Sequence, residues 1–94
     1  MELGIVVGQL VATVKDPGLP NLTYLLVDIV DARGNVLVKD QIAADALGAG
    51  EGELVMLARG SSARMIMESR AALDLSVVGI VDQITSGKKA VFTK

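Results

Sequence analysis

Aliphatic residues occur in short runs along this whole chain, and that pattern limits what it can fold into. Apolar residues make up 51% of its 94 positions, and the mean hydropathy is +0.52. No run approaches the roughly 20 apolar residues that a membrane-spanning helix needs. A compact monomer of this size buries only about 63% of its unfolded surface. We therefore expect one domain, residues 1–94, whose surplus apolar surface is covered by other subunits and not by a membrane.

The absence of Cys and His excludes several classes of function. The chain has neither residue, and its formal net charge is −2. Disulfides, Cys nucleophiles, Ser-His-Asp triads and the usual zinc sites are therefore excluded within a single chain. No basic stretch followed by an apolar segment opens the sequence, so no signal peptide is predicted and a cytoplasmic location is expected. We expect no catalytic residues, no cofactor and no metal.

Alternating and β-branched segments predict an all-β fold. Strands are predicted over residues 3–14, 23–30, 36–43, 54–58, 77–84 and 90–93. Ser61 is a good helix N-cap and predicts a short helix over residues 62–68. The 86–89 turn predicts a terminal hairpin. The order predicts a five-stranded OB-like barrel with one short helix and a C-terminal hairpin arm.

The first predicted strand has two apolar faces. Its odd and even positions are both largely aliphatic, which indicates that both faces are covered, one by the core and one by a neighbouring subunit. Gly4 and Gly8 interrupt it. Glycine within a strand often marks a bulge or a close backbone approach.

The glycine-rich segment at Gly48, Gly50 and Gly52 is the first candidate for chemistry. A phosphate-binding loop of the Walker type ends in Gly-Lys-Ser/Thr, whereas this one ends in Glu53, and the dinucleotide-binding spacing also fails. We interpret the segment as a tight connection where side chains would clash with a neighbouring backbone.

Two other functions stay open at this point. An OB-type barrel can bind single-stranded nucleic acid or another anion, but such proteins stack bases on aromatic residues in a basic groove. This chain offers Tyr24 and Phe92, an acidic balance, and a small basic spot at Arg59 and Arg64. An enzyme ranks third, because no spacing among the eleven acidic residues selects a catalytic pair.

Three segments together resemble one protein family. Residues 43–55 read AADALGAGEGELV, and Gly60 is followed by Ser-Ser-Ala-Arg. Residues 6–15 (VVGQLVATVK) and 74–82 (DLSVVGIVD) agree in order and spacing. The chain resembles the bacterial microcompartment vertex proteins of the EutN/CcmL type, nearer the ethanolamine-utilisation branch than the carboxysome branch. It departs from the usual pattern at Leu54, where members often carry Trp, and at Leu73, where they often carry Pro.

The resemblance implies a non-enzymatic pentamer that caps the vertices of a polyhedral shell in the cytoplasm. Its implied partners are four further copies and hexameric shell proteins, with no nucleic acid and no membrane. We expect small residues of two segments to pack at the subunit seam or near the ring axis, and Arg64 to pair there with a carboxylate, for which Asp45 is one candidate. The expected interface residues are Asp45, Gly48, Ala49, Gly50, Gly52, Gly60, Ser61, Ser62 and Arg64.

Overall fold

The computed structural model describes residues 1–12, 22–60 and 74–94, which contain seven strands. Apart from the far end of the first strand and the predicted fifth strand, the strand bounds lie within two residues of those that the aliphatic pattern and the turn residues predict. The strands are β1 Glu2–Leu10, β2 Thr23–Val30, β3 Val36–Asp45, β4 Leu54–Arg59, β5 Leu75–Ile80, β6 Gln83–Ser86 and β7 Lys89–Thr93.

The first five strands close into a barrel in the order β1-β2-β3-β5-β4. Neighbours are antiparallel except β3 and β5, which pair in parallel only at Ala44 and Asp45. One side of each strand faces the interior. The buried core consists of Val6, Leu25, Val27, Ile29, Ala43, Val55, Leu57, Leu75 and Val77. The all-β fold and the five-stranded barrel are confirmed.

Strand β1 differs from its prediction at its far end. It stops at Leu10, which pairs with Tyr24, and residues 11 and 12 have no strand structure. β2 begins at Thr23, so the partner strand runs out there. The predicted bulge is present, because the register shifts between Val6 and Gly8. The predicted helix over 62–68 and its Ser61 cap lie outside the described residues.

The predicted fifth strand over 77–84 is divided between two sheets, which corrects the prediction. β5 ends at Ile80, and β6 pairs only with β7 in a separate hairpin. The Val81 N–H still donates to the Leu54 carbonyl at 2.8 Å, and the Asp82 carbonyl accepts from the Lys94 N–H at 2.8 Å. A run of β-branched residues indicates that a segment is extended, but it does not indicate where the chain passes from one sheet to another. The C-terminal hairpin arm itself is confirmed.

The surface outside the barrel is unusually apolar. Among the described residues, ten large hydrophobic side chains are exposed: Met1, Val7, Leu10, Val11, Val36, Leu37, Val38, Ile42, Leu47 and Met56. The accessible area is 5935 Å², against about 5,200 Å² expected for a compact monomer of this mass. Val7 and Leu10 belong to β1, so the subunit itself leaves part of the first strand's outward surface uncovered.

Gly4 leaves no room for a side chain. A Cβ added there would lie 2.7 Å from Leu57 Cδ1 and 3.3 Å from the Asp28 carbonyl, and Leu57 is fully buried. We expect Gly4→Ala to destabilise the fold by about 1–3 kcal/mol through overpacking. Gly8→Ala is the matched control, since its nearest contact is at an ordinary 3.7 Å. Urea unfolding of both variants checks this, and equal midpoints would contradict it.

Candidate functional site

The connection between β3 and β4 carries most of the described residues that the sequence singled out. It is anchored by Asp45 at the end of β3, which is 3% exposed. One carboxylate oxygen accepts the Leu47 N–H at 2.9 Å and the other accepts the Ala49 N–H at 2.8 Å. Asp favours such local turns because its short side chain reaches backbone N–H groups two to four residues on. Ala49 packs against the core of its own subunit.

The second half of the loop is closed by Glu53. Its Oε1 accepts the Gly50 N–H at 2.7 Å, and its own N–H donates to the Gly50 carbonyl at 3.1 Å. The Gly52 N–H donates to the Val6 carbonyl at 2.8 Å. An anion-binding loop requires free N–H groups, whereas these already have protein acceptors. The loop is therefore a folded surface feature and not a phosphate cradle.

The glycines of the loop differ in why they are needed. Gly48 and Gly52 have φ of +82° and +89°, a conformation that favours glycine. Gly60, at the end of β4, has φ of +60°. Gly50 has no such constraint, and a Cβ there would meet only Glu53 Oε1 at 3.4 Å. Nothing within the described subunit explains a glycine at this position.

A lysine at the chain end holds the loop to the C-terminal hairpin. Lys94 Nζ lies 2.8 Å from Glu53 Oε2 and 3.7 Å from Asp82 Oδ1. The hydrogen bond from Lys94, followed by that from the Gly50 N–H, lowers the pKa of Glu53, and the bond to Glu53 raises the pKa of Lys94. Sequence reasoning missed this contact, because the two residues are 41 positions apart and neither belongs to a motif.

The sequence predicted a small basic spot at Arg59 and Arg64. Arg59, the one of the two that the structure describes, is not free to bind an anion. Arg59 forms an ion pair with Glu2 and a second with Asp74 at 3.1 Å. The hydrogen bond to Glu2 raises the pKa of Arg59. Arg64 lies outside the described residues, as do Ser61 and Ser62, so the proposed Asp45–Arg64 contact stays a prediction.

Within residues 1–12, 22–60 and 74–94, no group of three carboxylate, His or Cys side chains is placed to hold a metal ion. In the same residues, no helix has the length and apolar character needed to cross a membrane. What the described surface offers is a rigid loop, a hairpin arm and exposed aliphatic side chains. These are means of contacting another macromolecule.

Comparison with known proteins identifies the class. The family pattern described as "Ethanolamine utilisation protein EutN/carboxysome" matches residues 1–82. The chain therefore belongs to the EutN/CcmL family. It is 45% identical to the bacterial microcompartment shell vertex protein EutN of Salmonella typhimurium, over 100% of this chain and 96% of that protein. It is 38% identical to the carboxysome shell vertex protein CcmL of Nostoc, over 100% and 95%. The higher identity to EutN agrees with the branch that the sequence predicted.

Solved structures agree with this assignment. An ethanolamine utilization protein EutN superposes with a TM-score of 0.92 at 43% identity, covering 100% of this chain and 99% of that one. The GrpN pentameric microcompartment shell protein from Rhodospirillum rubrum superposes with a TM-score of 0.80 at 36% identity, covering 92% and 100%. The OB-type nucleic-acid alternative finds no support among these proteins.

The Glu53–Lys94 link predicts a specific pH response. The folded state lowers the pKa of Glu53 below its usual 4.5, so the link stabilises the fold above about pH 4.5 and is lost as the pH falls through the lower folded value. We expect Glu53→Gln to lower the melting temperature at pH 7 and to lower it by less at pH 3, because part of the wild type's advantage is lost once the pH falls below 4.5. Glu51→Gln is the control, since no hydrogen bond or ion pair joins Glu51 to a described residue. An equal offset for Glu53→Gln at both pH values would contradict this.

Proposed function

We propose that this chain is a structural, non-catalytic subunit whose pentameric ring closes a vertex of a bacterial microcompartment shell in the cytoplasm. The observation that carries the proposal is the set of ten exposed large hydrophobic side chains in the described part of a chain of only 94 residues. The family membership, the shell vertex relatives and the pentameric structural neighbour support it.

Ring formation accounts for this exposed surface in physical terms. A head-to-tail interface whose rotation closes gives a ring, in which each subunit contacts two neighbours through two different surfaces. Stable interfaces bury about 800 Å² per partner, so two would cover roughly a quarter of the 5935 Å² subunit surface. A flat sheet of hexameric shell proteins cannot close into a polyhedron without five-fold positions, which a pentamer fills. Hexameric shell proteins are accordingly the proposed neighbours.

The Gly48–Gly52 segment and residues 60–64 are the proposed seam or ring-axis contacts within the single domain, residues 1–94. Gly50 supports this assignment best, because no backbone constraint and no contact within its subunit requires a glycine there. Asp45 is already bonded to two N–H groups, so its proposed pairing with a neighbour's Arg64 must use its remaining lone pairs.

The mass of the purified chain in solution tests the proposed ring. Light scattering on a sizing column should give about five times 9.8 kDa. A folded protein that stays monomeric at millimolar concentration would contradict the proposal. Titration with single-stranded DNA at low salt should show no tight, salt-sensitive binding.

Gly50→Leu tests the seam. We expect it to raise the pentamer dissociation constant at least tenfold by blocking the neighbour's backbone, while the monomer keeps its stability because the space around Gly50 is open within the subunit. Sedimentation velocity over a dilution series measures the first quantity, and monomer unfolding measures the second.

Gly50→Ala is the graded control for this test. It adds one methyl group beside Glu53 Oε1 and should keep most of the association. A Gly50→Leu protein that assembles as the wild type does would exclude Gly50 from the seam.

A further inference from the structure

Strand β3 has an open side along most of its length. It pairs with β2 from Val36 to Asp45, but on its other side it pairs with β5 only at Ala44 and Asp45. No other described strand pairs with residues 36–43. An edge of this kind presents a row of unpaired backbone N–H and C=O groups, to which a strand of another chain can pair.

The open segment of β3 is also apolar. Val36, Leu37, Val38 and Ile42 are between 47% and 63% exposed, and they are four of the ten exposed large hydrophobic side chains of the described residues. An exposed hydrophobic edge strand is a site at which folded copies can join sheet to sheet and aggregate.

The centre of this edge is irregular. The register with β2 shifts so that Lys39 and Asp40 together lie opposite Asp28, and Asp40 has φ of +57°. Among the described residues, no other side-chain-bearing residue has a positive φ. Extended strands have negative φ, so β3 does not continue straight through Asp40. A bulge bends a strand and interrupts the row of groups to which a further strand could pair.

The peptide bond between Lys39 and Asp40 has both of its polar groups bonded to side chains. The Asp40 N–H donates to Asp28 Oδ1 at 3.0 Å, and the Lys39 carbonyl accepts from Gln41 Nε2 at 3.1 Å. The N–H and C=O of a trans peptide unit point in opposite directions, and Asp28 belongs to β2. The Lys39 carbonyl therefore points away from Asp28, and Gln41 occupies an acceptor that an incoming strand would otherwise use.

We propose that this bulge, residues 39–41 with the hydrogen bond to Asp28, protects the open edge of β3 from pairing with another copy of the chain. Lys39 adds an exposed charge at the same place, and a charged side chain on an edge also opposes pairing. The inference does not rest on the proposed ring. It explains how a chain with many exposed aliphatic side chains avoids open-ended association at a strand edge.

Two substitutions at Asp40 test the bulge. A β-branched residue strongly disfavours positive φ, whereas glycine adopts it readily. We expect Asp40→Thr to straighten β3 and to lower by about tenfold the concentration at which species larger than those of the wild type appear. Asp40→Gly is the matched control and should keep the wild-type distribution of sizes. Sedimentation velocity over a concentration series measures this, and an unchanged distribution for Asp40→Thr would overturn the proposal.

A second pair of variants tests the hydrogen bond at Asp28. Asp28→Ala removes the acceptor of the Asp40 N–H, whereas in Asp28→Asn an amide oxygen can still accept it. We expect larger species from the alanine variant and the wild-type distribution from the asparagine variant. Equal behaviour of the two variants would exclude this bond from protecting the edge.

Association of folded copies must be distinguished from aggregation of unfolded chains. Adding Val38→Lys to Asp40→Thr should restore the wild-type sizes, because a charge on the edge opposes pairing but does not refold an unfolded chain.

Hydrogen exchange gives the second readout. In the larger species of Asp40→Thr, the amides of residues 36–42 should gain protection while those of β2 and β4 keep theirs. Loss of protection in β2 and β4 would show that these species come from unfolded chains, and it would overturn the proposal.

The outcomes separate this inference from the proposed function. The size of the wild-type protein decides whether the ring forms. The sizes of the variants relative to the wild type decide whether the bulge protects the edge, so either idea can fail without the other.

Discussion

The size of the barrel constrains everything else in this protein. Five short strands enclose a core with nine buried aliphatic residues among those the structure describes, and ten large hydrophobic side chains of the same part of the chain remain exposed. Burial removes apolar surface from water at about 25 cal/mol per Å², so side chains left outside favour association. The way the barrel folds therefore favours contact between subunits.

Two carboxylate side chains hold the β3–β4 loop on the outside of the barrel through hydrogen bonds to its backbone. Asp45 fixes the first half of the loop through two N–H groups, and Glu53 fixes the second half and also binds Lys94. The loop and the base of the arm are thus held by one connected set of polar contacts. A surface built in this way presents small residues at defined positions, which suits close approach by a neighbouring backbone.

The arm shows how one chain can present two unlike surfaces. Its hairpin leaves the barrel after Ile80, carries three basic residues and no acidic one, and contains Phe92, which is half-buried. Residues 1–82 carry the negative excess, and the barrel strands within them carry most of the exposed aliphatic side chains that the structure describes. Unlike, complementary surfaces are what a head-to-tail ring needs, whereas a two-fold dimer needs a surface complementary to itself.

The local sequence pattern predicted the strands correctly where the apolar alternation ends at the same residue as the pairing with a neighbouring strand. Alternation predicted β2 at its true bounds, Thr23–Val30, and glycine predicted the bulge in β1. The same pattern placed the end of β1 too late, because the apolar periodicity continues beyond the residue where the partner strand stops. It also joined β5 to β6, because the periodicity continues where the chain passes from one sheet to the other. The proposed seam residues followed from the resemblance, and among the described ones Gly50 is the glycine that no constraint within the subunit explains.

The sequence by itself determined the strand content, the absence of thiol and imidazole chemistry, the surplus of aliphatic residues and the family. These depend on composition and on the order of neighbours along the chain. Tertiary structure alone decided which aliphatic side chains remain outside, which loop N–H groups are already occupied, and that Lys94 meets Glu53. Such facts depend on contacts between residues that are distant in sequence, and local periodicity does not encode them.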